Sequence, residues 1–161
     1  MRGKLLSLLV VTLALAGCCG PDQCAPARQA FRHLDPVVDH LRAFHEREGR
    51  YPARLEDAYP EGFPPGLENK TGADYAEIET LNSGRYRAPL LLGGSLYAFK
   101  ERNGRSVIFG YAKAADQYSS DSEKRRELVG QVVLSFEYSG PGVNSCFWNS
   151  ATLAWTCGGY I

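Results

Sequence analysis

From Ala27 onward the apolar residues return with a helical period. Phe31, Leu34, Val38, Leu41 and Phe44 fall on one stripe, while Arg32, Asp39, Arg42, Glu46 and Arg47 lie off it. The pattern predicts an amphipathic helix. Asp35 before Pro36 reads as a fresh N-cap with proline at the first helical position, so a break or kink is expected there. Gly49 is a suitable left-handed stop, and Tyr51-Pro52 cannot continue the helix.

Beyond Pro52 the apolar runs shorten and Pro and Gly become frequent. This stretch predicts a long structured connection with one helical turn near Leu55 and a strand from Tyr75 to Glu79. Strands dominate afterwards. Two β-favouring runs flank Asn103-Gly104, a dipeptide suited to a type I′ hairpin turn. Ser119 to Glu127 reads as a charged loop, Leu128 to Gly140 as another strand, and the segment holding Cys146, Trp148, Trp155 and Cys157 as the last hairpin. The fold class is therefore α+β, an N-terminal amphipathic helix packed on an antiparallel sheet. If Cys146 faces Cys157 across that hairpin, Trp148 faces Trp155. Both pairs then share one face, and Phe147 and Thr156 point the other way.

The N-terminus has a different pattern. Arg2 and Lys4 precede an apolar run from Leu5 to Ala16, too short to span about 30 Å of hydrocarbon and right for a signal peptide. Leu15-Ala16-Gly17-Cys18 resembles the bacterial lipobox. That resemblance implies cleavage before Cys18, lipid on its thiol, and a chain held to the membrane by two or three acyl groups. Cys19 stands where an Asp often retains such lipoproteins at the inner membrane, so the outer membrane, facing the periplasm, is the expected location in a Gram-negative source. The expected organisation is a signal peptide over 1–17, a lipidated tether over 18–27 and a globular head over 28–161.

Composition narrows the partners. Removing 1–17 takes away two of the 18 basic residues and none of the 18 acidic ones, which leaves the mature chain near −2 with no basic stripe. Nucleic acid is not expected as a partner. Five cysteines become four once Cys18 is lipidated, and an oxidising compartment lets bridges persist. Cys146 with Cys157 is the expected pair, and Cys19 with Cys24 the remaining candidate. Metal ligation by these cysteines is disfavoured, since paired C-x-x-C spacing is lacking.

Candidate chemistry is sparse. His33, His40 and His45 lack the spacing of a helical zinc pair and read as solvated or core-edge residues. Ser95 follows glycines without the flanks of a nucleophile elbow. Asp35 with Asp39, or Glu46 with Glu48, sit on a charged helix face, where nothing predicts the burial a general acid requires. No catalytic residue, cofactor or metal is expected. The tyrosines in or beside predicted strands, Tyr75, Tyr86, Tyr97, Tyr111, Tyr118, Tyr138 and Tyr160, suit either a recognition surface or an ordinary half-exposed sheet.

The helix end and its Gly49-Arg50-Tyr51-Pro52 turn, followed by Leu55, resemble the corresponding segment of type IV pilins and type II secretion pseudopilins. The Cys146 and Cys157 ring also looks like the disulfide-closed end of many pilin heads. The resemblance implies a pilin-like head over 28–161. Pilins carry an apolar assembly half-helix with a Glu near its start, and this chain has a lipobox signal in its place, so a monomeric head is expected. The major pseudopilin's calcium site suggests comparison with Asp116, Ser119, Asp121 and Glu123, although most acidic loops are merely solvated. Two functions follow. The first is a non-enzymatic envelope lipoprotein that contacts another envelope protein, at a pilus or secretion apparatus. The second is a periplasmic inhibitor or immunity-type lipoprotein that blocks a toxic or lytic enzyme. Within the first, Trp148 and Trp155 serve either as core or as a contact surface.

Overall fold

The computed structural model describes residues 24–82, 84–89, 91–101, 105–118, 121–140 and 142–160. Helix α1 (Ala25–Glu48) is a single element. Its apolar stripe buries Leu34, Val37, Val38, Leu41 and Phe44, with Ala27 and Ala30 fully buried nearer its start. Pro36 lies inside α1 and Asp35 caps no second helix, contrary to the break expected there. A helix-interior proline costs about 3 kcal/mol. Leu34 and Val37, on either side of it, belong to the same buried face, so packing holds the two halves in one helix. Because α1 begins at Ala25, residues 25–27 of the expected tether belong to the folded body. Gly49 ends the helix at φ 69° and donates its N–H to the His45 carbonyl at 2.8 Å, as the sequence predicts.

After a 3-10 turn at Leu55–Ala58 come β1 (Leu67–Asn69), α2 (Tyr75–Asn82), β2 (Tyr86–Arg87), β3 (Ser95–Lys100) and β4 (Ser106–Lys113). A 3-10 turn at Ala114–Gln117 leads to α3 (Ser122–Glu127), β5 (Val132–Gly140), β6 (Gly142–Asn149) and β7 (Ala154–Tyr160). Two expectations change here. The strand predicted from Tyr75 to Glu79 is helix α2, started by Asp74, whose Oδ1 accepts the Glu77 N–H at 2.9 Å. The charged loop contains helix α3, whose N-cap Asp121 accepts the Glu123 and Lys124 N–H groups. The turn at Asn103-Gly104 lies outside the described residues, but its flanking strands β3 and β4 pair as predicted, Lys100 opposite Ser106.

The strands form one antiparallel sheet in the order β1-β3-β4-β5-β6-β7, with β2 added against β5. Tyr97, Phe109, Leu134, Phe136 and Trp148 line the face that meets α1 and make the main core with it. On the opposite face Ala112, Ala114, Leu128 and Val133 form a smaller cluster under Leu91. Gly110 leaves room for it: a Cβ there would sit 2.2 Å from Leu91 Cδ1.

The strand tyrosines are largely structural. Tyr86 donates its hydroxyl to the Pro26 carbonyl at 2.7 Å, Tyr97 to Glu56 Oε2 at 2.9 Å and Tyr111 to the Pro52 carbonyl at 2.5 Å. Each ring fills the core while its hydroxyl pins the sheet to the helical layer. Burial raises the Tyr59 hydroxyl to about 12 and, aided by the nearby Glu101 charge, Tyr86 to about 12. Burial also pushes Tyr97 and Tyr111 up. A folded-state pKa above the unfolded value stabilises the fold fully below pH about 10 and loses that contribution as pH climbs through the folded value. Tyrosinate absorbance at 295 nm should therefore stay incomplete past pH about 10 and finish together with the loss of near-UV circular dichroism. Complete ionisation near pH 10 with the fold intact would contradict the burial of these hydroxyls.

Candidate functional site

The last hairpin has the register expected from its sequence. Cys146 pairs with Cys157 and Trp148 with Trp155. The disulfide is formed, with Cα atoms 4.1 Å apart. Trp148 is buried, 1% exposed, and meets the Tyr51 ring edge-on at 6.3 Å. A residue that buried has no surface to offer, so of the two alternatives for Trp148, core or contact surface, it is core. Trp155 is half-buried between Phe31 at 5.1 Å and Phe136 at 5.6 Å, and its Nε1 donates to Asp35 Oδ1 at 3.1 Å. Cys24 is disulfide-bonded. Cys18 and Cys19 lie outside the described residues.

The other candidate groups are engaged structurally. His33 stacks on Phe99, His40 on Tyr59 and His45 on Tyr51, with ring centroids 4.4–4.6 Å apart. Each is a flat spacer between α1 and the layer beneath it. Asp116 faces Arg125 at 3.8 Å, and Asp121 is used as a helix cap. Ser119 lies outside the described residues. Among the described residues no cluster of three His, Cys, Asp or Glu is placed to hold a metal.

Two features escaped the sequence reading. The first is a polar junction in a recess of about 740 Å³ between α1 and the β1–β3 side of the sheet. There Glu101 Oε1 accepts from Gln29 Nε2 at 2.5 Å and lies 2.9 Å from His33 Nε2. It ties the helix to the end of β3 across about 70 residues of sequence. No spacing rule links Gln29 and His33 to Glu101, so only the fold reveals it.

The second lies on the sheet face turned away from α1. Phe147, opposite Ser135 on β5, is 41% exposed. With Tyr118, Val133, Gln117 and Asn149 it lines a recess of about 340 Å³. Gln117 fixes the neighbouring chain, donating to the Leu92 carbonyl at 2.9 Å and accepting the Leu92 N–H at 3.2 Å. Leu92, held there by its backbone, is itself exposed. The polar rim of the recess comes from Gln117 and Asn149, and Lys124 sits 5.9 Å over the Tyr118 ring. Beside Phe147 the Ser135 hydroxyl is fully buried and has no hydrogen-bond partner among the described residues. An apolar centre with a polar rim can bind protein surface. The alternation of β6 predicted the direction of Phe147. That α1 covers only the other face, leaving Phe147 open, was not readable.

Among the described residues no helix is long and apolar enough to cross a membrane. Comparison with known protein families, with curated proteins and with solved structures found no match.

Proposed function

We propose that the protein is a lipid-anchored envelope protein whose pilin-like head binds another envelope protein through the sheet face opposite α1. The observation that carries this is the open patch of Phe147 and Tyr118 around a recess with a polar rim. The lipobox-like segment ending in Cys18 supports the anchor, and it would place the start of α1 at the membrane side. Support for a pilin-like head comes from Gly49 at φ 69°, the buried Tyr51-Pro52 that follows it, and the disulfide-closed last hairpin.

The full chain, produced in a Gram-negative bacterium with benzoylphenylalanine in place of Phe147, tests both parts. Irradiation should give an adduct of higher mass, and the same probe in place of Arg32 on the outer face of α1 should not. Cys18→Ser should move the protein to the soluble fraction and lower the adduct yield several-fold, because membrane confinement raises the local concentration of both partners. No adduct from position 147 defeats the contact face, and unchanged membrane retention of Cys18→Ser defeats the anchor. Capture of a lytic enzyme, with loss of its activity, would replace this reading by an inhibitor.

A further inference from the structure

The two terminal strands of the sheet are treated very differently. β1 has only three residues, and Glu68 within it is ion-paired at 2.8 Å to Lys70 just beyond. Short length and charge are the usual guards against edge-to-edge pairing. β7 has seven residues, Ala-Trp-Thr-Cys-Gly-Gly-Tyr, with no charge and no proline, and it pairs only with β6 among the described residues. The disulfide holds this edge in place rather than letting it fray.

The register also says which backbone groups are open. In an antiparallel ladder, non-hydrogen-bonded pairs have Cα atoms about 4.5 Å apart and hydrogen-bonded pairs about 5.5 Å. Cys146 and Cys157 stand at 4.1 Å, so theirs is a non-hydrogen-bonded pair. Alternation then assigns Trp155 and Gly159 to the same class. The N–H and C=O groups of Trp155, Cys157 and Gly159 point away from β6, and those of Ala154, Thr156 and Gly158 point into it.

We propose that β7 is an acceptor edge, to which a partner adds an uncharged extended segment as an eighth strand through the backbone groups of Trp155, Cys157 and Gly159. The flanking side chains set the partner's pattern. On the α1 side the incoming strand meets the exposed part of Trp155, which favours an apolar residue. On the other face it meets Ala154, Thr156 and Gly158, which favour small or polar ones. An alternating segment of apolar and small polar residues fits.

A second copy of the chain is the obvious competing occupant, and its polarity is wrong. Along α1, Phe31 and Asp35 meet Trp155, while Arg42 reaches the recess beside Ala151 and Leu153. The helix therefore runs antiparallel to β7. A twofold axis that paired β7 with β7 antiparallel would turn the two α1 N-termini in opposite directions. Chains anchored to one membrane at that end cannot adopt it. This exclusion rests on the lipid-anchor reading above, whereas the open edge does not.

The probe is an end-capped octapeptide of alternating valine and threonine, titrated into the full-length Cys18→Ser protein. Amide exchange is read residue by residue. Without peptide, Trp155, Cys157 and Gly159 should exchange freely and Ala154, Thr156 and Gly158 should be protected. With peptide, the three free amides should slow by about tenfold or more. Thr156→Lys puts a charge on this edge from an exposed position whose own backbone bonds face β6, so it should abolish the slowing without moving the melting midpoint. Three results overturn the proposal: no slowing, slowing confined to Phe147, Tyr118 and Asn149, or protection that grows with protein concentration alone as a dimer forms. The second of these would leave the contact face standing.

Discussion

Replacing Trp148 by alanine should lower the stability of the head by about 3–5 kcal/mol, the range for truncating a fully buried aromatic. The indole is 1% exposed and lies edge-on to Tyr51, on a strand flanked on both sides. Its neighbours belong to the sheet and to α1, so they can close the void only in part. Such a loss is a large fraction of the 5–15 kcal/mol that holds a domain together. At this chain length it should lower the melting midpoint by about 10 °C or more. Phe147→Ala is the control on the same strand. That ring is 41% exposed on the open face, and its removal should cost far less. Urea melts of the two variants decide the matter. Equal midpoints would mean that Trp148 is not a core residue.

Removing the Cys146–Cys157 bond should cost nearly as much. The bridge joins residues 11 apart in sequence, a loop for which the chain-entropy account gives about 3 kcal/mol. Because Cys146 is fully buried, serine there would add a hydroxyl in need of a partner, so the double alanine variant is the cleaner test. Its urea midpoint should fall, and reductant should lower the wild-type midpoint by more than it lowers that of the variant, which keeps the Cys24 bond. Loosening the hairpin should also shift tryptophan emission to the red. A wild-type midpoint indifferent to reductant would show that the pairing, not the bridge, fixes the hairpin.

Much of the architecture was legible because it rests on periodicity. The stripe from Phe31 to Phe44 specified α1, Gly49 specified where it stops, and the spacing of Cys146, Trp148, Trp155 and Cys157 specified the register of the last hairpin. The misreadings arose where a local signal met a stronger one. Pro36 argued for a break, and burial of Leu34, Val37 and Leu41 on one face overrode it. Tyr75 to Glu79 looked strand-like by composition, yet Asp74 three residues before Glu77 is a helix-start pattern that was there to be read. Asp121 ahead of Glu123 and Lys124 carried a similar message. The two-residue strand β2 and three-residue β1 are too short to have a period, so only their partners on β5 and β3 define them. The contact patch was the least legible feature. It depends on which face of the sheet the helix leaves bare, and that is a property of the assembled layers.

The seam between α1 and the last hairpin has a consequence for the order of folding. Neighbouring strands in the main run from β3 to β7 are also neighbours in sequence, and the β3–β4, β5–β6 and β6–β7 hairpins close over short loops and form early. The helix is different: Asp35 and Trp155, which it brings together, are 120 residues apart. A chain that emerges N-terminus first therefore holds α1 without its complete cover until nearly the last residue has arrived. The early helix gains little by itself, since most helical stability in a protein comes from packing its amphipathic face. The head cannot complete its core piecemeal. Its final seven-residue strand acts as the closing step, and a chain cut short before Ala154 has a helix with no complete surface on which to settle.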